Sequence, residues 1–223
     1  MIYFCSLDGI GKIKAGMTSI DTTNNSIVAI SPIRFSSEEL FSLLEKKEYY
    51  NAVQEMKNEK RKREWLSARL LMKEILGEEK EIVYSPTGKP RLKDKSYHIS
   101  ISHTKGYVAV ALQKDKPVGI DIEQLSDRVN HIRHRFMNPA EEETLSVKNE
   151  TVHLLLHWSA KESLFKILDD NRLAFNTDLH ISPFEPEINQ WSKFQSFETK
   201  TKERQSFTVD YLVTDDYVVT VAK

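Results

Sequence analysis

The stretch Val118–Gly119–Ile120–Asp121–Ile122–Glu123 decides how the rest of the chain is read. Apolar residues flank two acids at alternate positions. Side chains alternate along a strand, so Asp121 and Glu123 point to one face and Ile120 and Ile122 to the other. The flanking residues make this a buried strand. Two carboxylates on one of its faces repel each other and resist desolvation; a hard divalent cation with oxygen ligands resolves both costs. Taken alone, Asp-x-Glu at a strand end is most often a solvated edge. Its weight comes from a second segment, Trp158–Ser159–Ala160–Lys161–Glu162–Ser163–Leu164–Phe165–Lys166. That segment reads as helix and offers Glu162 as a third oxygen ligand, with Lys166 one turn later on the same side. By themselves Glu162 and Lys166 are an ordinary i,i+4 surface pair worth about 0.2–0.5 kcal/mol.

The chain has 223 residues, 39% of them hydrophobic and 29% charged, which fits a soluble globular protein with a real core. Its net charge of -1 gives no global attraction to nucleic acid or anionic membrane, so any anion binding rests on local clusters. A single cysteine, Cys5, excludes an intramolecular disulfide and suits a reducing compartment. The opening Met1–Ile2–Tyr3–Phe4–Cys5 meets Asp8 and Gly9 too soon for a signal-peptide core, and no apolar run approaches a membrane span. A cytoplasmic protein is expected, with no membrane and no nucleic acid among its partners.

Residues 2–7 read as a short strand, and another is expected around Ile27–Ile30. Ser36 with Glu39 resembles a capping box. A helix is expected from about Asn58 to Leu76, stopped by Gly77, then strands near 81–84, 97–102, 106–113 and 117–123. Ser126 is placed to cap a helix running through Phe136. Asn138–Pro139–Ala140–Glu141 reads as a further helix start, and a longer helix is expected over about 151–169. The tail alternates through Phe207, Val209, Tyr211 and Val213, then Tyr217, Val219 and Val221, as a hairpin turning at Thr214–Asp215–Asp216. This mixed order argues for an α+β fold. A boundary near 113–117 is expected, which puts the Asp-x-Glu strand at the junction of two halves.

Other segments carry weaker signals. Lys57, Lys60, Arg61, Lys62 and Arg63 form a basic run entering the first long helix, followed by Arg69 and Lys73. Arginine forks suit phosphate oxygens, although such a run is more often a solvated helix face. Tyr84–Ser85–Pro86–Thr87–Gly88–Lys89–Pro90 is a turn in which Lys89 could reach a phosphate, but it is no Walker loop. Ser102 and His103 are neighbours on a strand and point apart, so they do not form a nucleophile–base pair. A phosphate-binding histidine and a hydrogen-bonded turn histidine fit equally well. Arg128, His131, Arg133, His134 and Arg135, ending in Phe136–Met137, read either as a plain helix surface or as a basic, partly apolar docking face.

Taken in order, Gly88–Lys89–Pro90, Ser102–His103, Val118–Glu123 and Trp158–Lys166 resemble the 4′-phosphopantetheinyl transferase superfamily, Sfp-type branch. Lys60–Arg69 is similar to the arginine-bearing helix of its siderophore-synthesis members. One departure is Ser100, where the family often has asparagine. The resemblance implies a pseudo-dimer of two similar α/β halves, residues 1–115 and 116–223, the second carrying the metal and catalytic motifs. It puts the active site, with coenzyme A, in the cleft between them. It implies transfer of the 4′-phosphopantetheine arm from coenzyme A to a serine of an apo acyl or peptidyl carrier protein, releasing 3′,5′-ADP. Asp121, Glu123 and Glu162 would hold Mg²⁺, or Mn²⁺. Glu162, Lys166 and Asp121 would be catalytic, with Glu162 as general base. Arg61, Arg69, Lys89, Ser102, His103 and Lys161 would bind coenzyme A. Arg133, Arg135, Phe136 and Met137 would dock an acidic carrier helix. A pseudo-dimer is expected to act as a monomer. Two other readings stand beside it: a non-catalytic coenzyme A- or carrier-binding module, and a metal-dependent nucleotide-diphosphate hydrolase.

Overall fold

Antiparallel strands and helices kept apart in sequence build both units of the computed structural model, which describes residues 19–21, 26–46 and 48–223. The first unit comprises the described residues through Ser85 together with Pro90–Asp115; the second comprises Pro86–Lys89 and Lys116–Lys223. The strand expected at residues 2–7 lies outside the described residues. Among the described residues no helix is long and apolar enough to cross a membrane.

In the first unit, β1 (Ser19–Asp21) and β2 (Ser26–Pro32) precede helices α1 (Ser37–Ser42), α2 (Glu48–Glu55) and α3 (Glu59–Leu76). Strands β3 (Ile82–Tyr84), β4 (Pro90–Leu92), β5 (His98–Thr104) and β6 (Tyr107–Gln113) follow. Ser36 and Glu39 make the expected capping box at α1. Asn58 caps α3 by accepting from the Arg61 N–H, and Gly77, at φ 74°, ends it in a conformation that favours glycine. One side of α3 presents Ala68, Leu71, Met72 and Ile75 to Val108, Val110 and Leu112 of β6; another meets Leu40, Leu44, Tyr49 and Val53 of the α1–α2 segment through Leu66 and Leu70. Full burial of each leucine contributes about 1.5–3 kcal/mol, so tertiary packing fixes this helix more than propensity does. The main sheet runs β1-β2-β6-β5, and β3 pairs with β4 alone.

The second unit opens with β7 (Gly119–Gln124), then α4 (Arg128–Ile132), a turn of 3-10 helix (Arg133–Arg135), α5 (Pro139–Glu143), α6 (Glu150–Leu168) and α7 (Phe175–Asp178). Strands β8 (Leu179–Ile181), β9 (Trp191–Glu198), β10 (Ser206–Val213) and β11 (Tyr217–Ala222) complete a sheet in the order β7-β11-β10-β9-β8. The helix expected from Ser126 through Phe136 is cut short at Ile132, where the chain tightens into the 3-10 turn and buries Phe136 completely. A single scheme recurs: β2, a long helix, then the hairpin β5–β6 with β6 beside β2; and β7, a long helix, then the hairpin β10–β11 with β11 beside β7.

Helix α6 lies against β7 and β11 at backbone distance. A Cβ added to Gly119 would stand 1.9 Å from the Ser163 carbonyl oxygen, so only glycine fits there. Ser159 and Ser163 replace bulk with hydrogen bonds, both reaching the Thr220 hydroxyl, at 2.9 and 2.8 Å. Thr220 is the register partner of Asp121. Gly119, Asp121 and Glu123 share the strand face that meets the helix.

Candidate active site

The crossing at Gly119 places the site. Lys166 Nζ donates to the Asp121 carboxylate at 3.0 Å and to the Ile120 carbonyl at 2.6 Å, joining α6 to β7 one turn beyond Glu162. Asp121 is 5% exposed. On the same face, Glu123 accepts from the Trp158 indole N–H at 2.9 Å, so the first residue of the helical motif fixes the last acid of the strand motif. The sequence reading gave Trp158 no role. Its indole donor, four residues before Glu162 on a half-buried face, was the signal.

The carboxylates feel one another. Burial first, then the Asp121 charge, and more weakly Glu123, push Glu162 up to about 7 against the pull of Lys166. Burial and then Asp121 also raise Glu123, opposed by the Trp158 hydrogen bond and Lys166. Three carboxylates therefore face one ammonium in a partly desolvated setting. Among the described residues no three His, Cys, Asp or Glu side chains are drawn up as a metal-holding cluster. The chemistry of the donor set nevertheless fits a hard divalent cation, because oxygen donors with excess negative charge are what such an ion neutralises.

The turn at Gly88 (φ 84°) docks on the end of α6. Lys89 Nζ donates to the Ile167 carbonyl at 3.0 Å, and the Thr87 hydroxyl to Asp169 at 2.8 Å. Lys89 thus meets one of the unpaired carbonyls at a helix C-terminus, where a cation is favoured. In the first unit, Arg61 and His103 come together: an Arg61 guanidinium N–H donates to His103 Nε2 at 2.5 Å. Ser102, 9% exposed, follows the opposite face of β5.

Three expectations need correction. Lys161 is fully buried, with its ammonium bonded to the Phe136 carbonyl (2.6 Å), Glu141 (2.7 Å) and the Phe175 carbonyl (3.1 Å). All three of its protons are used inside the core, leaving none for coenzyme A. Arg69, 5% exposed, lies 3.0 Å over the Trp65 ring and donates to the Trp65 carbonyl and the Tyr84 hydroxyl. Its charge is stacked on an aromatic face, while the buried Nε–H has no hydrogen-bond partner among the described residues. The docking face also dissolves: Phe136 is 0% and Met137 6% exposed, both in the core, and Arg133 is paired with Glu142 and Glu150. Arg135 stays exposed.

A family model described as the 4′-phosphopantetheinyl transferase superfamily matches residues 117–222. A 4′-phosphopantetheinyl transferase of Bacillus subtilis is 36% identical over 104 residues, covering 42% of this chain and 45% of that protein. The chain thus spans less than half the length of this relative. The family match takes in β7, α6 and every residue of the carboxylate–lysine cluster. Over residues 117–222, the chain is similar to the 4′-phosphopantetheinyl transferase superfamily.

Proposed function

We propose that this protein, as an Sfp-type member, moves the 4′-phosphopantetheine arm of coenzyme A onto a serine of an apo acyl or peptidyl carrier protein, giving holo carrier and 3′,5′-ADP. One observation carries the reading: within the family-matched stretch, Glu162 and Lys166 of α6 feel the charges of Asp121 and Glu123 of β7. Asp121, Glu123 and Glu162 would hold Mg²⁺, which when bound supplies charge neutralisation on the diphosphate.

The rest is work for the chain's own side chains. The serine Oγ–phosphorus bond forms as the diphosphate bridge breaks, and the electron pair of that bridge leaves on the 5′-phosphate of 3′,5′-ADP. Glu162 takes the serine proton, and a carboxyl with a pKa of about 7 is matched to that task near neutral pH. Lys166 balances charge that develops on the phosphate oxygens, and fixed charges aimed there account for most of the acceleration in phosphoryl transfer. Trp158 holds Glu123 in place. Arg61 and His103 would bind the 3′-phosphate, with Lys89 and Ser102 as further coenzyme A contacts. The recurring strand–helix–hairpin scheme supports reading the chain as two similar halves.

The test is intact-mass analysis of a panel of apo carrier proteins incubated with coenzyme A and Mg²⁺. A phosphopantetheine mass gain, stopped by EDTA, is the expected result. Release of 3′,5′-ADP from coenzyme A with no carrier present would make the protein a hydrolase instead.

A further inference from the structure

Glu64 is an acid where the basic run predicts only solvent. It lies in α3 beside Lys60 and Arg61, yet its side chain is only 6% exposed, against 56% for Arg61. Its oxygens sit 3.6 Å from Lys60 Nζ, 3.9 Å from Arg61 and 3.5 Å from His103 Nδ1. The two nitrogens of His103 therefore face different partners. Arginine can only donate, so the Nε2 that meets Arg61 is an acceptor, and the proton of the neutral ring is on Nδ1, facing Glu64.

We infer that Glu64 is a positioning residue for anion binding: it fixes the His103 tautomer and carries the countercharge that lets His103 become an imidazolium when a phosphate arrives. This rests on the reading of Arg61 and His103 as 3′-phosphate contacts. A dianion draws Arg61 off Nε2, and Nε2 then needs a proton to donate. Taking one proton from solvent places a second cation beside Arg61. The Glu64 carboxylate on the far side of the ring offsets that charge, as an outer carboxylate does for a histidine on a metal. The charged groups facing this cluster include Lys60, Arg61 and Glu64 from α3 and His103 from β5, and Arg69, two turns along α3, also feels the Arg61 charge. The step is a proton transfer: an N–H bond forms at Nε2 as an O–H bond of hydronium breaks, leaving water, and no other bond changes.

The experiment compares 3′,5′-ADP with 5′-AMP, which lacks the 3′-phosphate, as ligands of wild type and Glu64→Gln. Long-range ¹H–¹⁵N spectra of His103 are recorded in parallel. Wild type is expected to show the Nδ1–H tautomer when free and a doubly protonated ring with 3′,5′-ADP at pH 7.5. Glu64→Gln keeps an acceptor and loses the charge. It should hold a neutral ring and bind 3′,5′-ADP about tenfold more weakly, with 5′-AMP unaffected, as loss of one charge-assisted contact requires. If wild type prefers 3′,5′-ADP and the variant keeps that preference, the role of Glu64 falls and the phosphate reading stands. If wild type itself shows no preference, the phosphate reading falls. Should the variant not fold, the wild-type spectrum decides: a ring that stays neutral in the 3′,5′-ADP complex overturns the inference.

Discussion

Replacing Glu162 with glutamine should make the protein more stable while disabling it. In the folded chain Glu162 has its pKa raised from 4.5 to about 7, chiefly by burial and by Asp121. A carboxyl held above its unfolded value keeps its proton longer in the folded state. Its contribution to stability is complete below pH 4.5, falls as pH rises, and is gone above 7. At about 1.4 kcal/mol per unit, ionising it in place costs about 3 kcal/mol at pH 8 and under about 1 kcal/mol at pH 5. Glutamine has nearly the same shape and no charge to desolvate. Glu162→Gln should therefore melt higher than wild type at pH 8 in EDTA, by about 6–12 °C for a chain of this size, and the gap should narrow sharply at pH 5. Thermal or urea denaturation at the two pH values measures it. Mg²⁺ should raise the wild-type midpoint at pH 8 and close part of the gap. A variant no more stable than wild type at pH 8, or a gap that ignores pH, would refute the reasoning that three carboxylates strain this face of the fold.

Gly119→Ala sets a Cβ against the Ser163 carbonyl, where backbone cannot yield cheaply. A loss of about 3 kcal/mol is expected in urea denaturation. Lys161→Met takes from Glu141 its ammonium partner in the core and, among the described residues, leaves only backbone N–H donors to it. It should cost about 3–5 kcal/mol in the same assay, while the coenzyme A KM of the folded fraction stays at the wild-type value. Asp121→Asn should lower carrier modification by two orders of magnitude or more, with the circular dichroism spectrum unchanged. Arg61→Ala should weaken coenzyme A by about one decade and leave dephospho-coenzyme A nearly unaffected in a calorimetric titration.

The long periodic elements were legible in the sequence. Both α3 and α6 fall within two residues of their expected ends, and β10–β11 turns where Thr214–Asp216 said it would. Strand β9 was not legible because its pattern runs backwards. Ser196 and Glu198 point inward and are buried while Phe197 faces out, since the Glu198 carboxylate accepts the backbone N–H groups of Thr201 and Gln205 and so organises the loop to β10. At the site, local spacing put Asp121 with Glu123 on one strand face and Glu162 with Lys166 on one helix side, and the family resemblance was what joined the two pairs. Lys161 and Arg69 misled for a common reason. Their partners, Glu141 and the Trp65–Tyr84 pair, are set by tertiary packing, and a cation in a helix reads as exposed until its partner is found. Glu64 was masked the same way, an acid among bases whose burial no periodicity announces.

Four residues, Pro86–Lys89, belong to the second unit although the chain on both sides of them belongs to the first. The polypeptide therefore changes unit three times, and no single cut separates the two. A break between Asp115 and Lys116 sends these residues away with the wrong fragment. The 116–223 piece would then lack the lysine on its Ile167 carbonyl and the threonine on Asp169, just beyond Lys166. Anyone expressing residues 116–223 by themselves would obtain an α6 whose C-terminal end has lost its fastening, and restoring it calls for grafting a short loop rather than moving the boundary.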